Sequence, residues 1–454
     1  MEEGRTQKDD IHDTIVELLD KGDITILKTA LADLHPADIA DAVSRIDRNR
    51  RQDVLNLLDT EHIAEVIESL DTLIRQDLLE SFDENRLVEI IGIMDSDDAT
   101  DIIGELEDDL AGRVLDAMPW KEHHEVETLL RHDEETAGGI MALEIVAVEQ
   151  SQTAKGALVV LRKKAEEVED VYNIYAVDSK GKLKGVVSLK DLVLANPKKK
   201  LSEIIDKETI SIQPDMDQEE VANIFQKYDL VSAPVVDAGG RLVGRITVDD
   251  IMDVVKEEVN EDITMMAGIT DEEIRGQSIW RISGVRLPWL LVALVGQLVS
   301  ALVLQHFHAS IQRIAMSALF IPLIMAMGGN TGIQSATVII RGLALGEINL
   351  RDTGRRLLKE LVAALLNGLV IALIIFGAVA IWLSDPKFGT VLALSMVAVL
   401  FNAALIGTLI PFLLKRLGAD PAIATGPFIT TSNDVLGLMV YFGLISLFQN
   451  WLIV

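Results

Sequence analysis

Along the 454-residue chain the hydrophobic pattern changes twice. Up to about residue 130, apolar positions recur at three- and four-residue spacing, as in Ile39, Val43 and Ile46, or Ile63, Val66, Ile67 and Leu70. That is the period of amphipathic helices, so this region is predicted to be all-helical. Residues 34–41 (LHPADIAD) align with 94–101 (MDSDDATD), sixty residues on, and Val54-Leu55 matches Val114-Leu115 at the same offset. A stack of short helices forming a small superhelix is expected. Further on, residues 174–191 align with 233–250 at a constant offset of 59. Each copy reads as strand, glycine turn, strand, then a helix starting near a Ser or Thr. From Pro288 the polar positions thin out. Five apolar stretches follow, roughly 288–307, 315–340, 361–383, 391–414 and 422–448, each meeting the ~20 residues that a helix needs to cross hydrocarbon.

Charge sharpens this division. The net charge of -30 is uneven: residues 1–287 hold 65 acidic and 32 basic residues, and the remainder holds six acidic and nine basic. The acidic part should repel nucleic acid and attract cations. Arg281 and Arg286 precede the first span, Arg341, Arg351, Arg355, Arg356 and Lys359 lie between the second and third, and Lys415 and Arg416 between the fourth and fifth. The opposite side has only Arg313 and Lys387. The positive-inside rule therefore assigns residues 1–287 to the cytosol, in keeping with a polar N-terminus that lacks a signal-peptide pattern. The chain has no cysteine, which excludes disulfides and cysteine-based zinc or iron–sulfur sites.

Polar residues inside the spans carry the candidate chemistry. Asp434 lies in the fifth stretch, near its centre, within GPFITTSNDVLGLMVYF, and no Lys or Arg shares that stretch. A charge in the hydrocarbon costs about 2.5–3.5 kcal/mol on insertion scales, so it normally faces a bundle interior with a partner. Thr430, Thr431, Ser432 and Asn433 make one polar segment with it, and Gly426-Pro427 can free backbone carbonyls. Gly328-Gly329-Asn330-Thr331-Gly332 marks a second break, in the second stretch. A passing hard cation, held through its water shell by one carboxylate with carbonyl and amide oxygens, fits this inventory; magnesium dehydrates reluctantly and suits it best. A symmetric dimer would bring two Asp434 carboxylates to one axis. The alternative is a protonated Asp434 in a helix–helix hydrogen bond.

In the acidic part, Asp95, Asp97, Asp98 and Asp101 form either a capped helix start or a cation site. Glu258, Glu261 and Asp262 fall on one helical face, where like charges repel unless water or cations intervene.

The 59-residue repeat resembles a pair of CBS domains, the cystathionine β-synthase-type modules. The resemblance implies an adenosine-nucleotide site using Ser188 with Asp191 and Thr247 with Asp250, unless the pair acts only in dimerisation and gating. The whole chain resembles the MgtE family of magnesium channels, most specifically through GPFITTSNDVLGLMVYF and GGNTGIQSATVIIRGLALGEI. What this implies is a multidomain membrane protein: a helical N domain (1–137), tandem CBS domains (138–253), a connecting plug helix (254–284) and a five-helix transmembrane domain (285–454). The resemblance further implies a homodimer in the cell inner membrane, a hydrated magnesium ion on Asp434, and pore lining by Asn330 with Gly328, Gly329 and Thr431. Regulatory magnesium would bind Asp98, Asp217, Glu219, Asp229, Asp250, Asp253, Glu258, Glu261, Asp262 and Asp420, closing the pore when cytosolic magnesium is high, and ATP could occupy the CBS pair. Ile333 departs from the family's pattern, GGNxGNQ, where an amide is expected. A secondary transporter titrating Asp434, or a nucleotide-sensing membrane protein without transport, are the rival readings. No nucleophile–base spacing or HExxH-type pattern suggests an enzyme.

Overall fold

The structure is a computed structural model describing residues 2–165, 168, 171–266, 279–344, 348–424 and 426–453. It divides into two compact units, Met1–Val255 and Lys256–Val454.

The first unit begins with helices α1 (Glu2–Lys21), α2 (Ile24–Ala32), α3 (Pro36–Arg45), α4 (Arg48–Leu55), α5 (Thr60–Glu68), α6 (Thr72–Leu79), α7 (Glu84–Ile91), α8 (Ser96–Glu105), α9 (Asp108–Ala117) and α10 (Trp120–Leu129). The apolar positions singled out above are buried; Ile39, Val43, Ile63, Val66 and Ile67 are fully so. The sixty-residue similarity proves to be a multiple of a shorter period. The residues that start α3 to α10 are His35, Asp47, Asp59, Asp71, Asp83, Asp95, Glu107 and Pro119, each twelve after the last. Asp59 and Asp83 show why an acid suits this place: each accepts a backbone N–H of the first turn, from His62 at 3.0 Å and Arg86 at 2.9 Å. Alternate helices touch, α3 with α5, α5 with α7, α7 with α9 and α8 with α10, so the stack winds as a superhelix.

The 59-residue repeat folds as expected. Strand β2 (Asn173–Val177) pairs antiparallel with β3 (Leu183–Ser188) and takes β1 (Ala147–Glu149) as a parallel neighbour, while β4 (Ser232–Val236) pairs with β5 (Leu242–Thr247). The register slips at the same place in both hairpins, after Ala176 and after Val235. Gly181 and Gly240 turn each hairpin at φ 77° and 76°, a conformation that disfavours other residues. The turns also bond each other, Leu183 N–H to the Gly240 carbonyl and Leu242 N–H to the Gly181 carbonyl. Helix Val248–Met266 follows β5. Of the connecting segment, residues 267–278 lie outside the described residues.

Among the described residues, the second unit contains five helices long and apolar enough to cross a membrane. They are Ile279–His306, Ile321–Ala344 with a 3-10 lead-in at Ala315–Phe320, Thr353–Trp382, Pro386–Leu417 and Pro427–Ile453. The fourth is the hub: it packs on the second, third and fifth, while the first lies mainly on the fifth. Two expectations are corrected. The glycines at 328, 329 and 332 do not break the second span, which is helical throughout. They bring helices together instead, because a helix without side chains on one face lets a neighbour's backbone approach. Gly328 meets Val399, and Gly332 lies under the Asn433 amide. A Cβ at Gly407 would overlap the Gly332 backbone. Gly407→Ala should therefore destabilise the bundle by about 1–3 kcal/mol through overpacking, read as a lower melting temperature in detergent; an unchanged melt would reject this crossing. The second correction concerns Gly426-Pro427, which starts the fifth helix rather than interrupting it. Proline is suited to a helix's first position, where its missing N–H has no intrahelical partner anyway. Asp434 is thus the eighth residue of the fifth helix, in its third turn and off centre.

Candidate functional site

Asp434 is half-buried in the bundle, and its Oδ2 accepts a 2.6 Å hydrogen bond from Nε2 of Gln297 on the first span. Among the described residues its partner is therefore a neutral amide and not a cation. Amide donation satisfies one oxygen without cancelling the charge, which leaves the carboxylate able to attract a positive ion. Its neighbours are polar but differently employed. Asn433 is 2 % exposed, and among the described residues neither its amide oxygen nor its nitrogen has a partner. Thr430 Oγ1 donates to the Gly426 carbonyl at 3.2 Å. Thr431 packs against Gly296 of the first span. Gly328 and Gly329 are buried at the crossing of the second and fifth spans, whereas Asn330 is exposed one residue further on. Gln334 is exposed four residues after Asn330, on the same helical face. Sequence reading passed over Gln334, although the i, i+4 amide pair in GGNTGIQ is its signal. Ile333 packs with Ala336, Ile340, Ala422 and Ile429 in an apolar cluster, where a polar amide would lack that surrounding. Glu360 was also missed, because the third helix starts earlier than its apolar stretch; it accepts from Ser335 Oγ at 3.2 Å and pairs with Arg356 at 3.6 Å.

A second acidic constellation is built in the first unit. Asp95, Asp97 and Glu144 each bring one carboxylate oxygen within 4.8 Å of the others. Asp97 is 8 % exposed, and among the described residues its Oδ1 has no partner. Ser96 Oγ donates to Glu144 at 2.8 Å, and Arg245 approaches Asp95 at 3.3 Å. Asp250, at the start of helix Val248–Met266, accepts from Thr247 through both its N–H (2.8 Å) and its Oγ1 (2.7 Å). Burial, followed by the charges of Asp250, Asp98, Asp95 and Glu144, pushes the Asp97 carboxyl well up. Burial and the neighbouring acids, Glu68 first, push Asp98 up to about 9. Burial outweighs the Thr247 bonds and pushes Asp250 up to about 6. Protons or a bound cation can relieve such crowding. Asp98 and Asp250, singled out from the sequence, are thus brought together, with Asp97 and Glu144 as unforeseen members.

The remaining candidates are scattered. Asp217 accepts the Glu219 N–H at 2.9 Å and starts helix Gln218–Tyr228, which Asp229 ends in the left-handed conformation at φ 51°. Asp420 accepts the Ala422 N–H at 2.8 Å. Asp253 is exposed, Glu258 and Glu261 are half-buried, and the Asp262 side chain lies outside the described residues. In the first CBS half, Ser188 Oγ donates to Asp191 at 2.7 Å and accepts its N–H at 3.0 Å, at an exposed helix start. The equivalent Thr247–Asp250 pair repeats this geometry but is drawn into the acidic constellation.

Comparison with known proteins accounts for both units. Family profiles match at residues 321–444 (MgtE, divalent cation transporter), 34–135 (MgtE intracellular N domain), and 137–198 and 201–257 (CBS domain). The chain is 40% identical over 334 residues to the magnesium transporter MgtE of Thermus thermophilus, spanning 72% of this chain and 73% of that one. It is 35% identical over 333 residues to the magnesium transporter MgtE of Enterococcus faecalis, covering 73% of each. A solved structure of the cytosolic domain of the Mg2+ channel MgtE in complex with ATP superposes with a TM-score of 0.52 at 38% identity, over 54% of this chain and 99% of that one. A structure of the soluble part of a magnesium transporter gives 0.51 at 27% identity, over 55% and 99%. With a helical N domain, a CBS pair and five apolar helices in the family's order, the chain belongs to the MgtE family, a family of transporters and not of enzymes.

Proposed function

We propose that this protein is a magnesium channel of the cell inner membrane that admits Mg2+ and closes when cytosolic Mg2+ is high. The observation that carries this reading is Asp434: a carboxylate inside the bundle whose partner is a neutral amide. One carboxylate per chain suits an ion gripped through its water shell, since an all-protein cage for a dehydrated ion needs more acids than these spans hold. A homodimer would set two such carboxylates about one axis. The relatives named as magnesium transporters support the choice of ion.

Closure is assigned to the acidic constellation of Asp97, Asp98, Asp250 and Glu144, together with Glu258, Glu261 and Asp262 on helix Val248–Met266. Mg2+ bound among these acids offsets their repulsion and favours the closed assembly, a population shift set by differential affinity between two states. Asp217, Glu219, Asp229, Asp253 and Asp420 join this sensor as more exposed acids. ATP is assigned to the first CBS half, where the exposed Ser188–Asp191 pair offers a hydroxyl and a carboxylate to ribose hydroxyls. Thr247 and Asp250 are already engaged with the acids.

The test is ion flux in liposomes holding the purified full-length chain. Mg2+ entry down an imposed potential, with resolvable single-channel currents that fall as magnesium on the cytosolic face rises, is expected. Uptake without such currents, requiring a proton or sodium gradient, would overturn the channel reading.

A further inference from the structure

We propose that Gln297 is a positioning residue for Asp434, and that through it the first span supplies a wall of the ion site. This rests on the pore assignment of Asp434 made above.

Three observations converge on Gln297. The first is the 2.6 Å bond from its Nε2 to Asp434 Oδ2, linking residues 137 apart in the chain. The second is the approach of the two helices at this level. Gly296 lies directly against Thr431, where any side chain at 296 would overlap that residue's methyl and hydroxyl groups. Gly296 and Ser300 are buried four residues apart, the small-residue spacing that lets helices approach closely. Gln297 follows Gly296, and Asp434 lies three residues beyond Thr431, so the close crossing fixes the distance between amide and carboxylate. The third is the setting of Gln297. Leu294, Val295 and Leu298 around it are exposed apolar residues of a membrane span. A polar amide in such an apolar setting is costly unless it is bonded, and Asp434 supplies that bond.

The chemistry follows from the donor inventory of a primary amide. One N–H holds Oδ2 and restricts the carboxylate's rotation. The amide oxygen and Oδ1 remain acceptors, and both suit the hydrogens of an ion's bound water. A neutral donor also keeps the carboxylate in place without supplying a tethered positive charge that would exclude the ion.

The experiment compares Gln297→Leu, Gln297→Lys and Asp434→Asn with the parent chain in liposomes, with protein folding checked by thermal melting. Gln297→Leu should raise the half-saturating Mg2+ concentration roughly tenfold, the scale of one hydrogen bond to a charged group, and narrow the preference for Mg2+ over Ca2+. Its maximal rate should fall by much less. Gln297→Lys should fold at least as stably, pair with Asp434 and conduct no Mg2+. A purely structural role predicts instead that flux tracks stability, so a stable, conducting Gln297→Lys would overturn the proposal. So would a Gln297→Leu variant with parental half-saturation and parental ion preference. If Asp434→Asn still conducts normally, the pore assignment itself falls; if it is silent while both Gln297 variants behave as the parent, only the role of Gln297 falls.

Discussion

Replacing Asp434 by Asn should silence magnesium uptake. The substitution keeps the shape of the side chain, and its amide oxygen can still accept from Gln297. What it removes is the charge. A divalent ion entering the bundle leaves bulk water, and a fixed carboxylate offsets that loss most effectively where the surroundings are apolar. Removing one partner from a buried charge interaction typically costs about 3–5 kcal/mol, so flux should drop by two orders of magnitude or more, to the level of empty vesicles. Asp434→Ala should do the same, with some added instability because Gln297 loses its acceptor. Asp434→Glu keeps the charge but displaces it by one methylene, and should retain measurable uptake with altered ion preference. Near-normal Mg2+ flux through the Asn variant, with protein inserted at parental levels, would remove Asp434 from the pore.

The second large effect concerns the acids of the first unit. Asp97, Asp98 and Asp250 have carboxyls raised above their ordinary range by burial and mutual repulsion, Asp250 to about 6 and Asp98 to about 9. In the unfolded chain all three titrate near 3.8. The folded state therefore holds protons more tightly. Its stabilisation is complete below pH ~4 and is lost as pH rises through the folded values. Without Mg2+, the cytosolic melting transition of the full-length protein should fall by several degrees between pH 6 and pH 9. Saturating Mg2+ takes the protons' place and should restore most of it, with protons released on binding. The double variant Asp97→Asn, Asp98→Asn should flatten the pH dependence and lose most of the Mg2+ stabilisation. In liposomes it should stay open at magnesium levels that close the parent. A parental pH profile in the double variant would dismiss these two acids as the origin, and parental closure would dismiss them as the sensor.

The parts of this molecule written locally were the parts legible in its sequence. Strand, turn and helix of each CBS half follow from residues within one 59-residue unit, so Gly181 and Gly240, or Ser188 and Thr247, announced their roles. The buried faces of α3 and α5 could be read from spacing alone. The acidic constellation could not. It joins residues near 95, 144 and 250, and Glu144 lies in an irregular stretch without a period to flag it. Gln297 is a similar case, a single amide in an apolar run whose meaning depends on a helix crossing 137 residues away. The glycines of the second span misled for a different reason. Glycine weakens a helix in water, but here the neighbouring helices pack against its bare face, and tertiary contact overrides propensity.

The twelve-residue rhythm of the N-terminal helices has a mechanical consequence. Helices α3, α5, α7 and α9 lean on one another in turn, and α8 leans on α10, so these helices are joined in series, like the coils of a spring. A displacement imposed at α8, which carries Asp97 and Asp98, can be divided among several small rotations along the stack. On the closure proposed above, such a body would store the work of closing elastically and return it when the ions leave.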